Sequence, residues 1–227
     1  MSELLRTSFL TRIRSRAFWQ EFFSSLRFAL HVIVHPFDGF WDLTRERRGS
    51  MAAANFIVFM AIFTRILRLQ YTSFLFIRVY WARVNVFTEF LTILLPLLIW
   101  CVANWSLTTL FEGKGRMKDI YMGTAYALTP YVLIQLPLIV LSNMVTIEEG
   151  AFYTVMSNIS LLWCGLLIVV AMMMIHDYSL GKTVAFMVMS LFGMLVIIFV
   201  LLLFFSLISD GVAYLISLYK ELSFRLY

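Results

Sequence analysis

Five long apolar stretches follow one another after residue 50, separated only by short polar connections. Hydrocarbon offers no water to a peptide group, so segments of this kind are stable only as helices that bond their own N–H and C=O groups. Hydrophobic residues make up 62% of the 227 positions and charged residues 14%, whereas soluble domains lie nearer half and a quarter. The expected fold is all-α: a polytopic transmembrane bundle of about five helices, preceded by an amphipathic interfacial helix. Residues 1–50 form a basic, amphipathic N-terminal segment, 51–209 the five-helix domain and 210–227 a short C-terminal tail.

The formal charge of +5 does not point to nucleic acid, because the basic residues bracket apolar spans, where they meet anionic headgroups. With five crossings, twelve of the 18 Lys and Arg residues fall on the side of the N-terminus and six on the other. The positive-inside bias then places the N-terminus in the cytoplasm and the C-terminus outside. Residues 1–16 are polar and basic, so insertion is expected to begin with an uncleaved span. Cys101 and Cys164 lie inside apolar runs, which suits packing rather than a metal quartet or disulfide scaffold.

Between Ala17 and Leu30, apolar positions recur at helical spacing opposite Gln20, Ser24 and Arg27, a pattern that continues toward Val34. This helix either lies in the membrane surface or packs on the bundle. Pro36 marks a helix end at His35, and Asp38-Gly39 supplies a turn signal. The charged run Arg45 to Ser50 cannot enter hydrocarbon and fixes the start of span one, Met51 to Leu69. Arg65 and Arg68 fall late in that span and must snorkel or face the protein interior. Leu69 to Asn85 reads as a loop holding an interfacial segment with Arg78 and Arg83. Span two runs from Val86 to Phe111 with Glu89, Pro96 and Asn104. Span three, Ile120 to Asn143, carries Pro130 and Pro137, which imply a kink or a local break. Span four is Ala151 to Ile175, and span five is Thr183 to Ser209, closed by Asp210.

Two constellations stand out as candidate sites. Lys114, Arg116 and Lys118, set among Gly113 and Gly115, can contact lipid phosphate or an acidic partner. The run lacks the Lys-Ser or Lys-Thr ending of a nucleotide phosphate loop. Tyr126, Thr129, Pro130, Tyr131, Gln135 and Pro137 form the second, a candidate hinge or polar cleft, since carbonyls freed by proline need partners inside the membrane. The span amides Asn55, Asn104, Gln135, Asn143 and Asn158 read as hydrogen-bonding glue between helices. No acid sits at mid-span, which weakens an ion-coupled mechanism. His31, His35 and His176 are too scattered for a metal site, and no cofactor is expected. His176-Asp177 lacks a nucleophile, so a lipid-acting enzyme would need His35, Asp38, Asp42, His176 and Asp177 to converge.

The segments His35-Pro36-Phe37-Asp38-Gly39-Phe40-Trp41-Asp42-Leu43, Gly113-Lys114-Gly115-Arg116 through Ala125-Tyr126-Ala127-Leu128-Thr129-Pro130-Tyr131, and His176-Asp177-Tyr178-Ser179-Leu180-Gly181-Lys182-Thr183 resemble the bacterial branch of the Yip1-domain membrane proteins. The likeness covers about residues 30 to 209. It implies a five-helix, non-enzymatic membrane protein. Eukaryotic relatives bind prenylated GTPases, but this chain lacks their Asp-Leu-Tyr-Gly-Pro motif and their long N-terminal region, so that role is not carried over. Bacterial members encoded among carbohydrate-uptake genes imply an accessory role beside an ATP-driven sugar transporter. The expected partners are anionic membrane lipid, another membrane protein or transporter subunit, and a second copy of the chain. The alternative is a small transporter, channel or lipid-translocating protein using the cleft at span three.

Overall fold

The computed structural model describes residues 16–77, 84–111 and 113–226. Among them are eight helices: α1 (Arg16–Val34), α2 (Pro36–Arg45), α3 (Met51–Tyr71), α4 (Val86–Leu110), α5 (Met117–Ala127), α6 (Thr129–Leu141), α7 (Gly150–His176) and α8 (Leu180–Leu226). Five segments are long and apolar enough to cross a membrane, with α5 and α6 together making the third. The shortest, α3, has 21 residues and is about 31 Å long, the thickness of a bilayer's hydrocarbon core.

Local chemistry sets the boundaries. The Ser50 hydroxyl accepts the Ala53 N–H at the start of α3, and the Asn85 side chain accepts the Phe87 N–H at the start of α4. Pro36 sits in the first turn of α2, where its missing N–H costs nothing. For the same reason Asp38-Gly39 is not a turn: it lies inside α2. Gly39 serves close packing instead, because a Cβ there would stand 2.9 Å from the Val32 Cα of α1.

α1 packs on the bundle through Ser25, Ala29 and Val32, leaning over α3 and α6, while Trp19, Phe23 and Leu30 remain exposed. The core below it joins Phe40 and Leu43 of α2, Ala53 and Ile57 of α3, Tyr126 of α5, and Leu167 and Met172 of α7. Small residues such as Ala53, Ala54, Ala125 and Ala171 are fully buried there and let the helices approach closely.

The third span is broken rather than smoothly bent. Leu128, between α5 and α6, has φ −80° and ψ −6°. Pro130 has no N–H for the Tyr126 carbonyl four residues back, and the Thr129 hydroxyl takes that carbonyl instead at 2.6 Å.

α8 is the largest departure from the sequence expectation. It does not close at Asp210 but runs unbroken for 47 residues, about 70 Å, through the segment read as a short tail. Its first turns pack on α4, with Thr183 and Ser190 buried, and from Ile198 to Phe224 every residue is exposed. Of the Leu69 to Asn85 loop, Ser73 to Ile77 form a tight turn, and the Phe76 ring stacks on Tyr153 at 4.8 Å. Arg78 and Arg83 lie outside the described residues.

Candidate binding face at the basic end of the bundle

The bundle has two unlike ends. One gathers the end of α2, the starts of α3 and α5, and the turn between α7 and α8; it carries Arg45, Arg47, Arg48, Lys114, Arg116 and Lys118.

His176 is the pin of this end. Its Nδ1 accepts the Gly115 N–H at 3.3 Å, and its Nε2 lies 3.1 Å from the Asn104 Oδ1. Accepting at Nδ1 requires that nitrogen to be bare, so the ring is neutral and Nε2–H donates to Asn104. The Asn104 Nδ2 in turn donates to the Ser190 hydroxyl at 3.2 Å, a bridge from α4 to α8. Gly115 must be glycine for this contact: an added Cβ would lie 2.5 Å from Ile175 Cγ2 and 2.6 Å from His176 Cε1.

Asp177, next in sequence, points elsewhere. It caps α7 in the left-handed conformation, φ 56°, and its carboxylate accepts from Lys114 at 3.0 Å and pairs with Arg45. Those bonds, Lys114 first and Arg45 second, hold its carboxyl below the ordinary value. The following Tyr178 donates to the Phe111 carbonyl at 3.1 Å and carries Lys182 over its ring at 4.1 Å. Asp42 pairs with Arg48 at 3.1 Å, and Arg48 reaches Glu46 at 2.9 Å. The His31 and His35 rings stack on each other, 4.9 Å between centroids.

These pairings leave a remainder. Among the described residues no carboxylate pairs with Arg47, Arg116 or Lys118. All three line a cleft of about 350 Å³ with Thr44, Arg45, Gly49, Lys114 and Asp119. Asp119 is the acid within it, and its carboxylate accepts the Arg116 backbone N–H at 3.3 Å, at the start of α5. Arg47 lines the cleft from a left-handed backbone conformation, φ 55°. Lys114, Arg116 and Lys118, singled out from the sequence, are thus brought together. The contribution of Arg45 and Arg47 was missed, since their run read only as the polar boundary of span one.

The second group of sequence candidates is a packed, hydrogen-bonded interior. Tyr126 is fully buried; its hydroxyl receives the Ser50 N–H at 3.3 Å and donates to the Ser25 carbonyl at 3.4 Å, fastening α1 and α3 to α5. Thr129, Pro130 and Tyr131 are buried at the break, while Pro137 is exposed farther along α6. Gln135 is also fully buried and donates to Ser157 at 3.1 Å and Ser160 at 2.8 Å of α7. Those serines did not stand out in the sequence, because a lone hydroxyl in an apolar run carries little signal. Asn55 accepts from Tyr121 at 2.8 Å and Asn143 donates to the Tyr71 carbonyl at 2.9 Å, so four of the five span amides bridge elements; Asn158 is exposed. Arg65 pairs with Glu89 of α4 at 2.8 Å, and Arg68 lies near Tyr131.

The segments 35–43, 113–116 and 176–183, far apart in the chain, all meet at the basic end: Arg45 just beyond the first reaches Asp177, and Gly113 and Gly115 close on His176. The Yip1 domain family matches residues 30–213, and with more than half of the chain covered, this polytopic membrane protein belongs to that family. No curated protein and no solved structure matches it.

Proposed function

We propose that the chain is a non-enzymatic accessory or scaffold protein of the bacterial cytoplasmic membrane, with its basic end and N-terminus in the cytoplasm. Its work is to hold a partner there, in membrane organisation or beside an ATP-driven carbohydrate transporter. The observation that carries the reading is the charge remainder at the basic end. Asp42, Glu46 and Asp177 pair with cations and Asp119 takes a backbone N–H, and among the described residues three cations without a carboxylate partner face one cleft. A surface on which unpaired cations outnumber unpaired carboxylates suits anionic lipid or an acidic segment of another membrane protein. Acid–base work on a lipid draws little support, because the Asp177 carboxylate points to Lys114 and Arg45 while the His176 ring points inward to Asn104.

Copurification of the tagged full-length protein from native membranes tests the reading. Reproducible recovery of the same membrane partners, weakened by Arg116→Gln with Lys118→Gln, is expected; recovery with no partner would count against it. The intact mass of the purified complex reads homo-oligomers in the same preparation. A second reading, a small transporter, channel or lipid-translocating protein, draws on the broken third span and on the Gln135 Oε1, which is buried without a partner among the described residues. Its test is flux of ions, sugars and labelled lipid into liposomes, where rates equal to empty vesicles remove its support.

A further inference from the structure

The basic cleft does not end at its cations. Arg47, Gly49 and Lys118 also line a second cavity of about 570 Å³, whose other walls include Phe18, Glu21, Phe22, Met51, Ala52 and Asn55. The Phe22 ring meets Phe56 edge-on at 5.5 Å, and this pair separates that cavity from a crevice of about 480 Å³. Phe23, Leu26 and Leu30 of α1, Met60 of α3, and Val132 and Leu133 of α6 are among its walls. Ala52, Phe56 and Met60 follow one another at i, i+4 spacing, so the cavity and the crevice form a seam along one face of α3, interrupted at the Phe22–Phe56 pair. From Met51 to Met60 it descends about 14 Å, close to the depth of one leaflet's hydrocarbon, about 15 Å.

A cleft with surplus positive charge and an apolar crevice on the same face of α3, with the Phe22–Phe56 ring pair between them, together have the polarity profile of a phospholipid. We infer that the two form one site for an anionic phospholipid, its phosphate among Arg47, Arg116 and Lys118 and one acyl chain between α1, α3 and α6. A free phosphate shares the headgroup chemistry but has no use for the seam. The inference rests on the reading of the basic end as a binding surface and names its occupant.

The test uses the full-length protein in mild detergent, with retention of phosphatidylglycerol, phosphatidylcholine and inorganic phosphate measured by native mass spectrometry and titration. Phosphatidylglycerol is expected to bind more tightly than phosphatidylcholine, and each of Arg116→Gln and Lys118→Gln to weaken it about fivefold. Glu21→Gln, which removes an acid from the cavity wall, is expected to strengthen it, a direction that misfolding cannot produce. Leu133→Trp, filling the crevice from the half-exposed face of α6, is expected to weaken the lipid and leave inorganic phosphate unchanged. Equal retention of the two lipids, or affinity indifferent to both charge removals, overturns the site. Inorganic phosphate binding as tightly as phosphatidylglycerol overturns the lipid in favour of a free anion. No lipid preference with partner proteins still copurifying sinks this site and leaves the accessory reading; a lipid preference without any copurifying partner does the reverse.

Discussion

Gly115 and Asp177 show how single residues build the basic end. In the sequence the paired glycines Gly113 and Gly115 suggest tight turns or close approach, and the structure uses the second property, since no glycine among the described residues has positive φ. Gly115→Ala must displace Ile175 or His176, both buried, so a loss of about 1–3 kcal/mol is expected, read as a lowered midpoint in thermal unfolding in detergent. At Asp177 the expectation concerns pH. Its carboxyl is held below the ordinary value, so the stability it adds is present above the unfolded-state pKa, near 3.8, and is lost as pH falls through the folded one. The pairs are largely exposed, which keeps the contribution within about 1 kcal/mol. Asp177→Asn keeps the left-handed cap, as Asn tolerates it, and should flatten the dependence of the unfolding midpoint on pH below about 5. An unchanged acid profile in that variant would remove the role assigned to the carboxylate. His176 itself was visible in the sequence, but its partners were not: Asn104 lies 72 positions away, and nothing in either local sequence points to the other.

At the scale of elements, the third span carries the clearest case of a signal read in kind but not in detail. Two prolines announced a kink or a break, and the choice between them fell to Leu128 and to the hydroxyl of Thr129. Because that hydroxyl serves the carbonyl Pro130 cannot reach, Thr129→Val is expected to cost about 1–3 kcal/mol. The cost should shrink when Pro130→Ala is present, since the restored N–H can take the Tyr126 carbonyl. A double-mutant cycle on unfolding midpoints measures this coupling, and purely additive effects would show that the two groups do not share the carbonyl. α2 illustrates the opposite case. Asp-Gly usually signals a turn, yet Pro36 just upstream is a stronger helix start, and burial of Gly39 against Val32 settles the matter through packing. The amphipathic pattern of α1 was plain, but whether it faced lipid or protein was not, because a headgroup region and a bundle groove accept the same apolar stripe.

For the whole molecule, α8 has consequences for design and orientation. Residues 198–224 are exposed throughout, so the bundle does not lean on them for packing. Removal of residues 210–227 should leave the unfolding free energy of the remainder unchanged within about 0.5 kcal/mol, and a large drop would show that this stretch holds the bundle together. Five spans that each cross once would put Lys118 and Ser223 on opposite sides of the membrane. Single cysteines introduced at those positions, with Cys101 and Cys164 replaced, should label with an impermeant reagent from opposite faces of sealed vesicles. The five helices long and apolar enough to cross, and the polar connections between them, could be read from residue order, because the cost of placing each side chain in hydrocarbon is local and accumulates along a window of about twenty positions. Which cations remain free could not. Arg45 finds Asp177 across 132 positions and Lys114 finds it across 63, and only after those pairs form are Arg47, Arg116 and Lys118 the cleft cations without a carboxylate partner among the described residues. A charge in a sequence has a sign but no neighbour, and its neighbour is a property of packing that only the tertiary structure supplies.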